Sequence, residues 1–101
     1  MNLKTPSPKI ISIPDDFSID PLKINLDQDV VFTLPSLDLP TAFIDWYQSF
    51  IEQIASTDYS RVLVVAREEM HRFSEHVNVV PSLQEAYDII EMERIERDLG
   101  V

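Results

Sequence analysis

The sequence predicts an α/β fold, with a small mixed sheet of about four to five strands and helices mainly on one face. Two observations lead to this class. In the last two-thirds of the chain, short apolar segments of β character alternate with amphipathic helical segments, an order typical of parallel strand–helix–strand units. The chain has 101 residues, of which 45% are hydrophobic, which is enough for one modest core and predicts a single domain.

The first third of the chain predicts a tail followed by strands. Residues 1–8 include two prolines and predict a disordered tail before a domain of residues 9–101. Residues 9–13 are a short strand candidate that a proline ends, and residues 22–26 alternate apolar and polar side chains as a half-buried strand does. Residues 30–34 are apolar on both faces, which is typical of a central strand.

The middle of the chain predicts a helix, a strand and a shorter helical segment. Residues 41–56 carry an apolar stripe at helical spacing. Residues 61–66 include five apolar residues in a row and suit a buried parallel strand. Residues 68–75 predict a short helical segment, and residues 77–80 predict a short strand. The main apolar side chains of the first helix are Phe43, Tyr47, Phe50 and Ile54.

The last segment predicts a helix over residues 83–98. Ser82 and Glu85 have the spacing of a capping box, in which a hydroxyl and a carboxylate satisfy backbone amides at the helix start. Right-handed crossovers place this helix on the same face of the sheet as residues 41–56. We therefore expect the other face to carry polar residues or to meet a partner.

The predicted last helix has two apolar stripes. The first ends at Ile90, and the second lies on roughly the opposite side of the helix. The pairs Glu91/Arg94 and Glu93/Arg97 have the i+3 and i+4 spacing that supports an exposed helix. Because one helix cannot bury two opposite stripes in its own core, we expect its far end to leave the core and to contact another molecule. The second stripe consists of Met92, Ile95 and Leu99.

Composition excludes several classes of function. The 18 acidic residues against 8 basic ones give a net charge of −10, which opposes binding to nucleic acid. The chain has no cysteine for a disulfide, Fe–S cluster or cysteine–zinc site, and its single glycine, Gly100, cannot build a phosphate-binding loop. No apolar run approaches the roughly 18 residues of a membrane span, and the first residues lack the apolar core of a signal peptide. We therefore expect a cytoplasmic protein that binds neither nucleic acid nor membrane.

Residues suited to enzymatic chemistry are few and scattered. His71 and His76 are five apart, whereas a metal-binding pair on a helix needs a separation of about four. Adjacent carboxylates such as Glu68 and Glu69 diverge and do not face one cleft. The sequence thus predicts no catalytic residue, no metal site, no cofactor and no enzymatic activity. The alternative class, a small hydrolase, needs a cleft that gathers Asp or His side chains.

Residues 79–86, Val-Val-Pro-Ser-Leu-Gln-Glu-Ala, resemble the last strand and last helix of STAS domains, the fold of anti-sigma factor antagonists. The continuation over residues 89–100 is similar to the tail of a small bacterial STAS-like group, whose members are often labelled ribonuclease Z by association with a neighbouring gene. The resemblance is good over residues 77–100 and looser over residues 30–67. It implies a divergent STAS domain with a trimmed N-terminal part, because only 29 residues precede the central strand.

Ribonuclease Z activity does not suit this sequence. That chemistry needs a two-metal site built on a dense H-x-H-x-D-H motif in a larger fold, and this chain has two histidines. The label suggests only an alternative role, as an accessory or regulatory subunit associated with an RNA-processing enzyme.

The resemblance also implies a phosphorylation site. STAS domains present a phosphorylatable Ser or Thr at the start of the helix after the central strand, and Thr41 lies nearest to that position. The family pattern there is Asp-Ser-Ser/Thr-Gly, whereas this chain has Leu39 at the Asp position and Ala42 at the Gly position. A helix N-terminus tolerates added negative charge, so Thr41 is the phosphoacceptor candidate.

Together these residues predict a non-enzymatic protein-interaction or regulatory domain that resembles anti-sigma factor antagonists. Its partner is expected to be a regulatory protein or a second copy in a dimer. Trp46 lies at the edge of the stripe of the first helix, where it serves either a contact surface or the lip of the core. The predicted interaction surface comprises Trp46, Met92, Ile95 and Leu99.

Overall fold

The structure, a computed structural model, describes residues 7–14, 16, 19–20, 22, 24, 27–34 and 39–100. It confirms the α/β class and the predicted bounds of the last helix. The elements are β1 (Lys9–Ser12), β2 (Val30–Thr33), α1 (Thr41–Gln53), β3 (Arg61–Val64), a 3₁₀ helix (Arg67–Arg72), β4 (Val79–Val80) and α2 (Leu83–Asp98).

Among the described residues, four strands form one sheet in the order β1-β2-β3-β4. Val31 in β2 lies between Ile10 in β1 and Val62 in β3, and Leu63 in β3 pairs with Val79 in β4. The number of strands agrees with the prediction, but every described pairing is parallel where a mixed sheet was predicted. Each connection between these strands carries the chain back to the same end of the sheet, which is what parallel pairing requires.

Both edges of the sheet are short. β4 has two residues, and β1 has four residues that lie between Pro8 and Pro14. Lys9 and Ile13 donate their amides to carbonyls at the two ends of β2, so the alternate amides of β1 face away from the sheet.

One face of the sheet packs against α1 and an aromatic cluster. The ring of Phe32 in β2 meets those of Tyr47 and Phe50 edge to face, with centroids 6.0 and 5.6 Å apart. Phe73, which follows the 3₁₀ helix, makes a further edge contact with Tyr47. The buried cluster on this face comprises Ile13, Val30, Phe32, Leu39, Phe43, Ile44, Tyr47, Phe50, Ile54, Leu63, Val65, Phe73 and Val77.

The helix α2 covers the opposite face of the sheet. Val31, Val62 and Val80 turn to this side and pack with Ala86 and Ile90 of α2. The prediction that the helices lie mainly on one face is therefore wrong, and the face expected to be polar or partnered is covered by the chain itself. The handedness rule governs a helix that joins two parallel strands, as α1 joins β2 to β3, whereas α2 follows the last strand and is not bound by it.

The predicted strand over residues 22–26 does not form in the part of that segment that the structure describes. Leu22 is 93% exposed, and its amide donates to the Asp20 carboxylate (2.9 Å) in a local turn that competes with strand pairing. Ile24 packs against the α1 side of the core instead. Residues 23, 25 and 26 lie outside the described residues, as do residues 1–6 of the predicted tail.

Candidate functional site

The first half of α2 is held by a cap and by apolar contacts. The Glu85 amide donates to the Ser82 hydroxyl (3.2 Å), and that hydroxyl donates to the Glu85 carboxylate (3.1 Å). Ala86 and Ile90 then bury their side chains against the sheet. Beyond Ile90 the inward side of α2 becomes polar, where it meets the amino ends of the strands.

A buried carboxylate anchors the second half of α2. Asp29, directly before β2, is 4% exposed and accepts the Ser60 amide at Oδ1 (2.6 Å). Its Oδ2 accepts hydrogen bonds from Nε (2.9 Å) and Nη2 of Arg94. Arg97 adds a longer ion pair, with its Nη2 3.7 Å from Oδ1 of Asp29. Asp29 therefore engages both basic residues of α2.

Glu93 connects α2 to the starts of β3 and β4. Its carboxylate accepts hydrogen bonds from the Ser60 hydroxyl and from Nδ2 of Asn78 (3.2 Å). Because parallel strands begin at the same edge of a sheet, the residues before β2, β3 and β4 lie side by side there. Asp29, Ser60 and Asn78 thus form one polar row beneath a single helix.

The pairing of charges differs from the i+3 and i+4 pairs that the sequence predicts. Arg94 was expected to meet Glu91, and Arg97 to meet Glu93, on an exposed surface. Both guanidinium groups instead turn to Asp29. A carboxylate shielded from water attracts them more strongly than an exposed one does, because the local dielectric is lower.

The outer side of α2 is apolar along its middle and acidic on both flanks. Met92, Ile95 and Leu99, here called the outer stripe, are 62%, 53% and 71% exposed. At about 100° per residue the three lie within about 60° of one another. The exposed charged side chains of the helix are all carboxylates, namely Glu85, Asp88, Glu91, Glu96 and Asp98.

The outer stripe is exposed as the two-stripe pattern predicts, and beyond Ile90 the helix contacts the sheet through polar side chains and not through the apolar core. The polar row holds it against the sheet, so that only its outer side is open. Binding of a partner to the outer stripe stays a prediction.

Trp46 lies apart from the outer stripe. It belongs to α1, on the other face of the sheet, and its ring stacks on Phe50 with centroids 4.8 Å apart. It also contacts Phe43 (5.7 Å) and is only partly exposed. The structure therefore does not bring Trp46 together with the outer stripe, and these contacts favour the lip of the core over a docking role.

Thr41 is the exposed first residue of α1, at the carboxyl end of the sheet. Pro40 before it is extended and provides no side-chain cap. Nη1 of Arg72 donates to the carbonyl of Leu39, two residues before Thr41 (2.7 Å). The same Nη1 is also paired with the Glu69 carboxylate (2.9 Å), so the helix N-terminus is the feature that favours a phosphate group, and phosphorylation of Thr41 stays a prediction.

Two buried polar side chains lie between α1 and the sheet, Tyr47 of α1 and Arg61 of β3. Arg61 donates from Nε to the carbonyl of Ile54, where α1 ends (3.1 Å), and from Nη1 to the carbonyl of Gln28 (2.8 Å). Burial lowers the pKa of Arg61, and the Asp29 carboxylate opposes that shift. The Tyr47 hydroxyl has no hydrogen-bond partner among the described residues, and its burial raises the pKa of the phenol. The Arg61 side chain thus satisfies a carbonyl at the C-terminal end of α1. We expect the Tyr47 hydroxyl, which has no such partner among the described residues, to lower the free energy of unfolding.

Hollows lie at both ends of the sheet. A cleft of about 500 Å³ at the amino ends is bordered by aspartates and by the two arginines that Asp29 engages. A hollow of about 200 Å³ at the carboxyl ends is lined mainly by apolar side chains such as Leu39 and Val65. Open α/β sheets bind ligands where the strand order reverses, and the order of the described strands does not reverse. Within the described ranges, no three His, Asp or Glu side chains gather to hold a metal ion.

Comparison with other proteins does not assign this chain to a family. No family model, curated protein or solved structure matches this chain. The resemblance of residues 79–86 to STAS domains therefore stays a prediction. In the part of the chain that the structure describes, neither α1 nor α2 is long and apolar enough to cross a bilayer.

Proposed function

We propose that this protein is a non-enzymatic, cytoplasmic protein-interaction domain that docks onto a partner through the outer stripe of α2. One observation carries the proposal. The inward polar side chains in the second half of α2 bind the sheet, while Met92, Ile95 and Leu99 face solvent. Large apolar side chains aligned on one exposed helix face are typical of protein-binding surfaces.

The geometry of the stripe supports docking as a helix. Met92, Ile95 and Leu99 have the i, i+3, i+7 spacing of helices that lie in an apolar groove. The helix is held at both halves, so its outer residues keep one arrangement and less entropy is lost on binding. A frayed helix end would lack this advantage.

A regulatory role similar to that of anti-sigma factor antagonists is the form of docking we propose. The resemblance of residues 79–86 to STAS domains and the exposed position of Thr41 support it. An enzymatic role has less support, because the arginines of the amino-end cleft are engaged by Asp29 and the carboxyl-end hollow is mainly apolar.

Site-specific photo-crosslinking tests the proposal. A photoreactive amino acid replaces Ile95 or, as a control, Glu52, which is exposed on α1 on the other side of the sheet. In extracts of the source cells we expect a discrete crosslinked protein from position 95 and none from position 52. Identical patterns from the two positions, or no crosslink from position 95, would contradict docking through α2.

The identity of the crosslinked protein separates the two roles. A kinase-type anti-sigma factor would support the regulatory role. An RNA-processing nuclease would favour an accessory subunit instead.

A further inference from the structure

We infer that the outer stripe of α2 binds a basic protein, whose docking surface is apolar and bordered by Lys or Arg side chains, and not a second copy of this chain. This inference rests on the proposed docking function and names the chemistry of the partner.

The basic side chains of α2 face the sheet, where they pair with Asp29, and most of its acidic side chains face solvent. Arg94 and Arg97 are the only basic residues of the helix, and they turn inward so that their side chains are 19% and 27% exposed. The helical period directs both side chains towards the sheet, and the Asp29 carboxylate holds them there. The outer side of α2 therefore carries exposed acids and no exposed basic side chain.

The carboxylates that remain exposed border the outer stripe on both sides. At about 100° per residue, Glu91 and Asp98 lie on one side of the stripe and Glu96 lies on the other, whereas Glu85 lies two turns before Met92, at the capped start of the helix. Asp88 lies in line with the stripe, one turn before Met92. A partner that covers the apolar residues must therefore meet negative charge around them.

Charge complementarity selects the partner. Opposite charges at the rim of an interface steer association and fix its register, whereas like charges suppress it. A partner with Lys or Arg around an apolar groove satisfies the carboxylates of α2. An anionic lipid surface does not, because it repels them.

A second copy of the chain is a poor occupant. Two such helices in contact would set the five exposed carboxylates of each against those of the other, on two chains that each carry a net charge of −10. A stable interface also buries about 800 Å² per partner. Three side chains on one helix supply too little apolar area to offset that repulsion.

Two synthetic peptides of about 18 residues test the inference. Both form amphipathic helices with the same leucine positions, and the polar positions are lysine in one and glutamate in the other. Binding to the full chain is measured by fluorescence anisotropy at an ionic strength of about 0.15 M. We expect the lysine peptide to bind at least about tenfold more tightly than the glutamate peptide, and Ile95→Glu to weaken it by about tenfold.

Matched variants separate local contact from general attraction to an acidic protein. Glu91→Lys/Glu96→Lys changes the flanks of the stripe, and Glu52→Lys/Glu68→Lys makes the same change in net charge on the α1 side of the sheet. We expect the first pair to weaken binding of the lysine peptide by about tenfold and the second pair by about twofold at most.

Several results would overturn the inference. These are equal losses in the two charge variants, equal binding of the two peptides, and no binding of either. If light scattering shows a dimer, and Ile95→Glu converts this dimer to a monomer, then the outer stripe binds a second copy of the chain. If Ile95→Glu weakens binding while Glu91→Lys/Glu96→Lys does not, docking through α2 stands and the basic partner is wrong. If position 95 gives no crosslink and Ile95→Glu has no effect, the proposed function itself fails.

Discussion

Replacement of Asp29 by Asn tests directly how α2 is held to the sheet. The substitution keeps the size of the side chain and one oxygen that can accept the Ser60 amide, but it removes the charge that binds Arg94 and Arg97. The asparagine side chain also carries an NH₂ group in place of one carboxylate oxygen, and this group would face the N–H donors of Arg94. We therefore expect the second half of α2 to loosen while the capped first half stays in place.

The size of the effect follows from the contacts. Arg94 loses two charge-assisted hydrogen bonds to Asp29, and bonds to charged groups contribute about 1.5–3 kcal/mol each. The Arg94 side chain is 19% exposed, so water replaces part of the loss. We expect a decrease of about 2–4 kcal/mol in the free energy of unfolding, somewhat below the roughly 3–5 kcal/mol for a broken pair that is fully buried.

Urea unfolding, followed by circular dichroism, measures the effect. With a slope of about 2 kcal/mol per molar urea, the midpoint should fall by about 1–2 M. A double-mutant cycle of Asp29→Asn with Arg94→Met should give a coupling energy of at least about 1 kcal/mol. As a control, Glu52→Gln on the exposed side of α1 should stay within about 0.5 kcal/mol of the wild type.

Two outcomes would refute this account of α2. One is an Asp29→Asn variant as stable as the Glu52→Gln control. The other is strict additivity with Arg94→Met, which would show that the two side chains do not act together. The same Asp29→Asn variant should also bind the lysine peptide more weakly, because the released arginines can neutralise the flanks of the outer stripe.

Three further outcomes follow from the packing. Tyr47→Phe should raise the free energy of unfolding by about 1 kcal/mol, since it removes a buried hydroxyl without a partner among the described residues; a loss of stability in thermal unfolding would contradict this. Because burial raises the pKa of Tyr47, the unfolded chain ionises first, and the wild type should lose stability relative to Tyr47→Phe as the pH rises above about 10; parallel pH profiles would argue against it. Ser82→Ala should cost about 1 kcal/mol by removing the cap of α2, whereas Ser49→Ala on the exposed side of α1 should cost almost nothing.

Local patterns predicted the elements well where one physical rule decides them. The Ser82–Glu85 spacing placed the start of α2 correctly, because a cap depends only on neighbouring residues. The apolar spacing of residues 41–56 predicted α1, although the helix ends at Gln53. The alternation in residues 22–26 predicted a strand that does not form at Leu22 or Ile24, because a local turn at Asp20 takes the amide that a strand needs.

Long-range choices could not be predicted from such patterns. The face that α2 covers depends on which apolar side chains α1 leaves open, and no sequence spacing reports that. The anchor at Asp29 joins residues 65 positions apart along the chain, as its bonds to Arg94 show. One signal was present: Arg94 and Arg97 continue the side of the helix that carries Ala86 and Ile90, so their inward direction follows from the helical period.

The short edge strands of the sheet limit how this protein can associate with other chains by strand addition. At β1, four residues between Pro8 and Pro14 expose very few outward amides, and at β4 the strand stops after two residues. A foreign strand that arrives at either margin finds too few donors to extend the ladder, and the flanking prolines cannot supply more. We therefore expect fibre growth by strand addition to be disfavoured at both edges of the sheet.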